Sequence, residues 1–341
     1  MDPTIKRSLG RSGVDVTQLG LGGASYGSIY REVSEQDALD TIEAAWAAGI
    51  RYFDTSPWYG RGLSELRTGA GLRYRPRDEY VLSSKVGRCL DAAKPGSEPD
   101  LSPWVAPAPF EHYHDYTYDG VMRSYEQSQL RLGMAWYDVA VIHDLDYWTH
   151  KTDAQVQHYL DQLEGSGWRA LEELRRDGLL KAIGAGINET GMMTRFLEFC
   201  EPDFWLVAMP YTLLRQEMLD EEFGICEQRG ISVVLGAPFQ SGILATGTIP
   251  GARSDYRPAD EATLDKVRRI EVVCARHDVP LAAAALQFVL GHPVVASVIP
   301  GAASAAQVER NVATFRHPIP ADLWTELKFE GLLREDAPVP T

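Results

Sequence analysis

Asp54, Tyr59, Lys85 and His143 are the side chains of this 341-residue sequence whose types and placement spell out proton chemistry. A tyrosine is a poor base near neutrality because its ordinary pKa is about 10. An ammonium group close to its oxygen favours the phenolate and lowers that value towards the range where acid and base work is efficient. Lys85 can supply the charge, Asp54 can pair with Lys85 and hold it, and His143 can hydrogen-bond a substrate oxygen and turn it towards Tyr59. Singly each residue has an ordinary explanation, since an aspartate at a strand end is often a cap and a lone histidine is often structural. Together, each at or just after the end of an apolar run, they read as a catalytic group.

The elements that must position them are legible as a strand-then-helix alternation. Strands are predicted at Gln18 to Leu21, Ile50 to Phe53, Tyr80 to Ser84, Tyr137 to Ile142, Ala182 to Ala185, Phe204 to Ala208, Ser232 to Leu235 and Val294 to Ile299. Amphipathic segments lie between them, such as Ser34 to Ala48 and Gly165 to Asp177, each followed by a glycine. Repeated units of this kind predict a (β/α)8 TIM barrel, in which side chains at the carboxyl ends of different strands meet at one mouth. Ile5 to Leu9 and Val14 to Thr17 flank a glycine-bounded turn and predict an N-terminal hairpin capping the barrel floor. Pro318 to Leu333 predicts a C-terminal helix. The long connection from 86 to 118, after the third strand, carries Trp104, Phe110, Tyr113, Tyr116 and Tyr118 and is expected to be an ordered lid.

A hydrophobic content of 45% is enough for a large core, and no linker divides the chain, so one barrel domain over 1–341 is expected. The formal net charge of −15 provides no general basic field for nucleic acid or an anionic membrane. A small molecule is the expected partner. The longest apolar runs are shorter than the roughly 20 residues a membrane span needs, and the N-terminus lacks a secretory pattern. Cys89, Cys200, Cys226 and Cys274 are widely spaced, which suits reduced thiols and a cytoplasmic location. Oligomeric state is not encoded in any readable pattern.

The strings GLGGASYG at 20–27, FDTSPWYG at 53–60, SSKVG at 83–87, VIHDLD at 141–146, APFQSGIL at 237–244 and IPGAASAAQVERN at 299–311 resemble the aldo-keto reductase superfamily. The resemblance runs from about Ile5 to about Phe315. It implies that Asp54, Tyr59, Lys85 and His143 form a catalytic tetrad, and that a nicotinamide dinucleotide binds without a Rossmann domain. It implies cofactor contacts at Gly22, Gly23, Asp54, Asn188, Pro238, Phe239, Ser241, Gly242, Leu244, Gly301, Gln307 and Asn311. Phosphate binding has independent support, because barrels often hold phosphate between the loops after strands seven and eight, where a helix begins. Gly301 and Gln307 stand where many members carry cations for the 2′-phosphate of NADP. NAD is therefore the preferred cofactor, with NADP the alternative.

PWYG, HDYTYDG at 114–120 and IHDLD are most similar to D-threo-aldose (L-fucose) 1-dehydrogenases and to pyridoxal 4-dehydrogenase. The implied reaction is oxidation of an aldose's anomeric hydroxyl to a lactone, with Tyr59 as general base. Pyridoxal oxidation and NADPH-dependent aldehyde or ketone reduction are the enzymatic alternatives, and a cofactor-binding regulatory subunit is the non-enzymatic one. Substrate contacts are expected from Tyr59, His143, Trp58 and Trp148, whose indoles can stack on a sugar or pyridine face, although Trp58 would equally serve as loop packing. Asp144 and Asp146 are candidates to accept sugar hydroxyls, although solvated loop carboxylates are the commoner outcome for such residues. No metal site is expected: His112 and His114 are two residues apart in a proline-rich loop with no further ligand in view.

Overall fold

The computed structural model describes residues 1–340 except 95 and 97–99. Parallel strands β1 (Leu21–Gly22), β2 (Tyr52–Asp54), β3 (Val81–Val86), β4 (Val139–Ile142), β5 (Ala182–Ile187), β6 (Phe204–Ala208), β7 (Ser232–Gly236) and β8 (Val295–Ile299) pair in sequence order. Parallel bridges Leu19↔Val298 and Gly22↔Gly301, with Gly20 N–H donating to Val298 O at 2.9 Å, join the first strand to the last and close the (β/α)8 barrel. All eight predicted strands are present, with ends shifted by up to three residues.

The strands are buried on both faces because helices cover their outside, so they read as continuous apolar runs. Val139 and Val141 point into the barrel with Tyr52, Ala182, Phe204, Leu206, Val234, Ala296 and Ile299, whereas Ala140 and Ile142 face the helices. Gly184 on β5 is required by that interior: a Cβ there would lie 2.5 Å from the Phe204 ring. The floor is plugged by the predicted hairpin, Lys6–Ser8 against Asp15–Thr17, whose Leu9, Val14 and Val16 join the interior cluster.

Several helices are set by their caps. Ser34 Oγ accepts from Asp37 N–H at the start of Glu35–Ala47, and Asp260 and Ser304 do the same for Glu261–Arg276 and Ala305–Arg316. The predicted terminal helix is shorter than expected, Ala321–Phe329. Gly165 does not begin a helix. It lies in a π-turn, Leu163–Gly167, that joins Asp153–Gln162 to Trp168–Arg176. Beside that turn, Tyr116 N–H donates to Gln162 Oε1 (3.0 Å) and Tyr118 N–H to Ser166 Oγ (3.0 Å), which anchors the lid's return to the barrel.

The 86–118 lid is built around an antiparallel ladder, Arg88–Ala92 against Phe110–His114. Trp104 and Tyr116 are buried beneath it. A second hairpin, Arg253–Ser254 with Arg257–Pro258, follows β7. Among the described residues no single helix is long and apolar enough to cross a membrane, and the four cysteines are free and buried.

Candidate active site

Asp54 ends β2, Lys85 lies one residue before the end of β3, and His143 follows β4, so all three reach the same mouth. Lys85 Nζ donates to Asp54 Oδ2 at 2.7 Å and to Thr55 O at 2.9 Å, and Ser83 Oγ donates to Asp54 Oδ1 at 2.7 Å. The ion pair is buried, with both side chains 2% exposed. Tyr59 arrives on the turn after β2, where Tyr59 N–H donates to Ser56 O (3.1 Å). Gly60, at φ +62°, lets that turn press on the neighbouring loop: a Cβ would meet Gly27 O at 2.4 Å. The half-buried Tyr59 ring has Lys85 Nζ over its face at 4.6 Å, His143 edge-on at 6.0 Å and Trp104 at 5.8 Å.

These positions correct one electrostatic expectation. Burial, followed by the nearby carboxylates of Asp54 and Asp144, pushes the Tyr59 phenol well above its ordinary value, with Arg88 opposing them. Lys85 sits over the ring face and its charge is directed at Asp54, so the chain's own groups keep the proton on Tyr59.

His143 is 2% exposed. Burial and the cations Arg88 and Lys85 hold its ring well below the usual imidazole range, so it is neutral. Its Nδ1 lies 3.1 Å from Ser56 Oγ, and that hydroxyl already accepts the Trp58 N–H at 3.0 Å. Nε2 faces the Asp144 carboxylate, which when ionised can only accept, so Nδ1 accepts from Ser56 Oγ and the His143 proton is on Nε2, the donor at the mouth. That nitrogen is 3.3 Å from Asp144 Oδ2, which also accepts from Arg88 Nη2 at 2.9 Å. Ser56 and Arg88 escaped the sequence reading. Ser56 lay inside a quoted motif, and Arg88 follows Gly87 in a stretch with no apolar pattern.

Trp58 is part of the lid contact. Its ring lies 4.4 Å from His112 and 5.7 Å from Trp104, between the guanidinium groups of Arg61 (4.6 Å) and Arg88 (4.9 Å). Trp148, on the turn Tyr147–His150, stands at the rim opposite Tyr256 at 6.4 Å and Arg257 at 5.6 Å. Tyr256 was also missed: its ring faces Trp148 and its N–H donates to Ser241 Oγ at 2.8 Å, so the second hairpin meets the rim between the loops after β4 and β7.

Other expected contacts have structural duties. Asp146 is fully buried, caps Thr149 N–H at 2.9 Å and accepts both Asn188 N–H (2.9 Å) and Asn188 Nδ2 (2.8 Å), so it has no place for a sugar hydroxyl. The Asn188 backbone and side-chain N–H groups are thus both spent on the Asp146 carboxylate. Gly22 and Gly23 are small because protein crowds them: added Cβ atoms would meet Ile299 O at 2.9 Å and Ser64 Oγ at 2.5 Å. Leu244 is fully buried, and its N–H and that of Gly242 both go to Phe239 O. Gln307 Oε1 accepts Ala303 N–H at 2.7 Å, tying it to the helix start.

The dinucleotide fit rests on what remains. Ala305–Arg316 opens at the mouth side of β8, where the first-turn N–H groups lack intrahelical acceptors and favour an anion. Asn311 Nδ2 reaches Gly301 O (3.4 Å) beside it. Ser241, at φ +58°, and the half-buried Phe239 follow the buried Pro238 on the turn after β7. Arg31 Nη2 lies 3.4 Å from Ala303 O, a cation at this corner that the sequence reading did not place. Among the described residues no His, Cys, Asp or Glu cluster could hold a metal. A cleft of about 430 Å³ lined by Arg7, Cys226 and Ser232 is at the floor and contains none of these groups.

The aldo/keto reductase family profile matches residues 18–329. The chain is 40% identical to pyridoxal 4-dehydrogenase of Microbacterium luteolum, over 96% of this chain and 98% of that one. It is 37% identical to D-threo-aldose 1-dehydrogenase of a Pseudomonas species, over 93% and 94%. Among solved structures, a Bacillus halodurans aldo-keto reductase in its holo form superposes with a TM-score of 0.75 at 25% identity, covering 99% of this chain and 98% of its own. With the barrel, the mouth and these likenesses in agreement, the chain belongs to the aldo/keto reductase family and is an NAD(P)-dependent oxidoreductase.

Proposed function

We propose that this chain is an NAD-preferring dehydrogenase that oxidises the anomeric hydroxyl of an aldose to a lactone, with Asp54, Tyr59, Lys85 and His143 as its catalytic residues. The observation that carries the reading is the meeting of Tyr59, the buried Lys85–Asp54 pair and a neutral His143 at one mouth under an aromatic lid. The nicotinamide supplies the hydride acceptor when bound. The chain does the rest: His143 Nε2–H donates to the substrate oxygen, and Tyr59 exchanges one proton with that oxygen. The protonated phenol is ready to donate in the reducing direction, and accepts in the oxidising direction only after losing its proton. Lys85 and Asp54 hold the floor of the pocket, and the lid excludes water.

Preference for NAD is supported by Gly301 and by Gln307, whose carbonyl oxygen is spent on the helix start. Arg31 is the residue through which NADP would compete. Pyridoxal is the second reading, favoured by the relative at 40% identity and by the aromatic lid. We also propose one barrel domain over 1–341, a cytoplasmic location supported by the free cysteines, and no nucleic-acid or membrane partner. Initial rates of NAD and NADP reduction across L-fucose, D-arabinose, L-galactose, D-glucose and pyridoxal test the proposal. A sharp preference for one aldose with NAD is expected. Turnover of pyridoxal with none of the sugars would move the assignment to the second reading, and dinucleotide binding with no turnover at all would favour a regulatory subunit.

A further inference from the structure

Two side chains at the mouth, Arg88 and Asp144, are not accounted for by proton transfer or by cofactor binding. Arg88 is 5% exposed, yet its Nε has no hydrogen-bond partner among the described residues. A buried N–H left unpaired is costly, and an oxygen acceptor entering beside the Arg88–Asp144 ion pair would relieve it. Asp144 is in the left-handed backbone region at φ +47°, and its side chain remains 24% exposed. Strained backbone of this kind concentrates at ligand clamps. Asp144 Oδ2 lies 3.3 Å from His143 Nε2, the donor assigned above to the reacting oxygen.

When a substrate oxygen takes the His143 proton, Asp144 loses that donor. Oxygens on adjacent carbons of a sugar lie within a hydrogen-bond length of each other when gauche. A hydroxyl next to the reacting carbon can therefore donate to Asp144 as its neighbour accepts from His143, and its lone pairs can accept from Arg88. We infer that Arg88 and Asp144 form a specificity-determining pair that reads the hydroxyl on the carbon adjacent to the oxidised one, so that 2-hydroxy aldoses are accepted over 2-deoxy sugars. The inference rests on the aldose reading of the same site. The phenolic oxygen of pyridoxal, when ionised, has no proton to give Asp144 and would meet it as a like charge.

The test measures kcat and KM with saturating NAD for the best aldose and its 2-deoxy counterpart, in the wild type, Asp144→Asn and Arg88→Lys. Dinucleotide affinity by fluorescence titration checks that each variant keeps its site. The wild type is expected to favour the 2-hydroxy sugar by about 100-fold in kcat/KM. Asp144→Asn is expected to lose most of that ratio, and because any effect of the lost charge on Tyr59 or His143 acts on both sugars alike, the ratio within the variant isolates the contact to the 2-hydroxyl. Arg88→Lys, which keeps the charge but loses the planar fork, should lower the ratio less. Equal wild-type rates on the two sugars, or an Asp144→Asn variant that slows both alike, would overturn the inference and leave the aldose reading standing. Turnover of pyridoxal with no aldose would overturn both. Should Arg88→Lys fail to fold, the Asp144→Asn comparison decides alone.

Discussion

Tyr59 must change protonation state once per turnover, yet its surroundings favour only one state. Burial and two carboxylates hold the phenol above its usual value, so the unprotonated form needed for oxidation is scarce at neutral pH and grows tenfold for each unit of alkalinity. His143 is held neutral well below its ordinary range and contributes no change near neutrality. The oxidation rate should therefore climb with a slope near one from about pH 7 to about pH 9.5, while carbonyl reduction stays flat there. A plateau in oxidation reached below about pH 8 would contradict this. Tyr59→Phe removes the exchangeable proton and is expected to lower kcat by about 100- to 10,000-fold with dinucleotide affinity unchanged, and an unaltered kcat would remove Tyr59 from the mechanism. Asp54→Asn tests a different consequence. It strands the Lys85 ammonium in a site that is 2% exposed, so urea unfolding should show a loss of about 3–5 kcal/mol. The double variant with Lys85→Met should recover part of it, because neither charge is then left alone.

At the scale of elements, the lid is held together by groups that resist protonation. Burial, with Arg88 nearby, lowers His112 to about 3, His114 to about 2 and His150 to about 4. An unfolded chain binds protons at these rings from about pH 6.5 downward while the folded one does not, so stability present above about 6.5 is lost as pH falls. Each ring contributes up to about 1.4 kcal/mol per pH unit until its folded value is reached. Asp144 works in the opposite sense between about 6 and 3.8, since burial raises its carboxyl to about 6 and protonation relieves that cost. His143 and His292 are lowered by burial too, while Glu189 and Asp203 are raised by it like Asp144, so five rings against three carboxyls leave a net loss: denaturation midpoints should fall between pH 7 and pH 4.5, and a flat profile would refute the assignment. The aromatic residues of 86–118 mark an ordered lid in the sequence, but not the ladder it is built on. Arg88–Ala92 buries the adjacent Arg88, Cys89 and Leu90 and exposes Asp91 and Ala92, and Phe110–His114 is half-buried throughout, so neither segment alternates and no period of two marks them as strands. The barrel strands were legible because runs such as Val139–Ile142 are buried on both faces and end at a charge. The sequence does not mark Asp153–Gln162 as a helix because it buries only Val156 and Leu160 and is followed by Gly165 and Gly167, which read as a break before the more strongly amphipathic Trp168–Arg176. The tetrad was legible because strand ends carry it, whereas Tyr256 and the duties of Asp146 and Asn188 depend on loop packing that no sequence spacing encodes.

Across the whole molecule, stability and chemistry occupy opposite ends of the barrel. The floor is an apolar plug in which Leu9 and Val16 are fully buried against strand interiors, while Lys85, His143, Arg88 and Asp144 open towards the mouth. Rigid strands connect the two ends, so damage at the floor should lower the population of folded barrels without reshaping the mouth of those that remain. Leu9→Ala tests this separation. It deletes a fully buried side chain from the plug, and large-to-small changes of this kind cost about 2–5 kcal/mol. Urea midpoints should fall accordingly, while KM for substrate and the ratio of NAD to NADP rates stay within about twofold of wild type at temperatures where the variant is folded. If KM rises severalfold in folded Leu9→Ala, the floor and mouth are coupled through the strands, and the barrel interior must then be counted among the groups that set specificity.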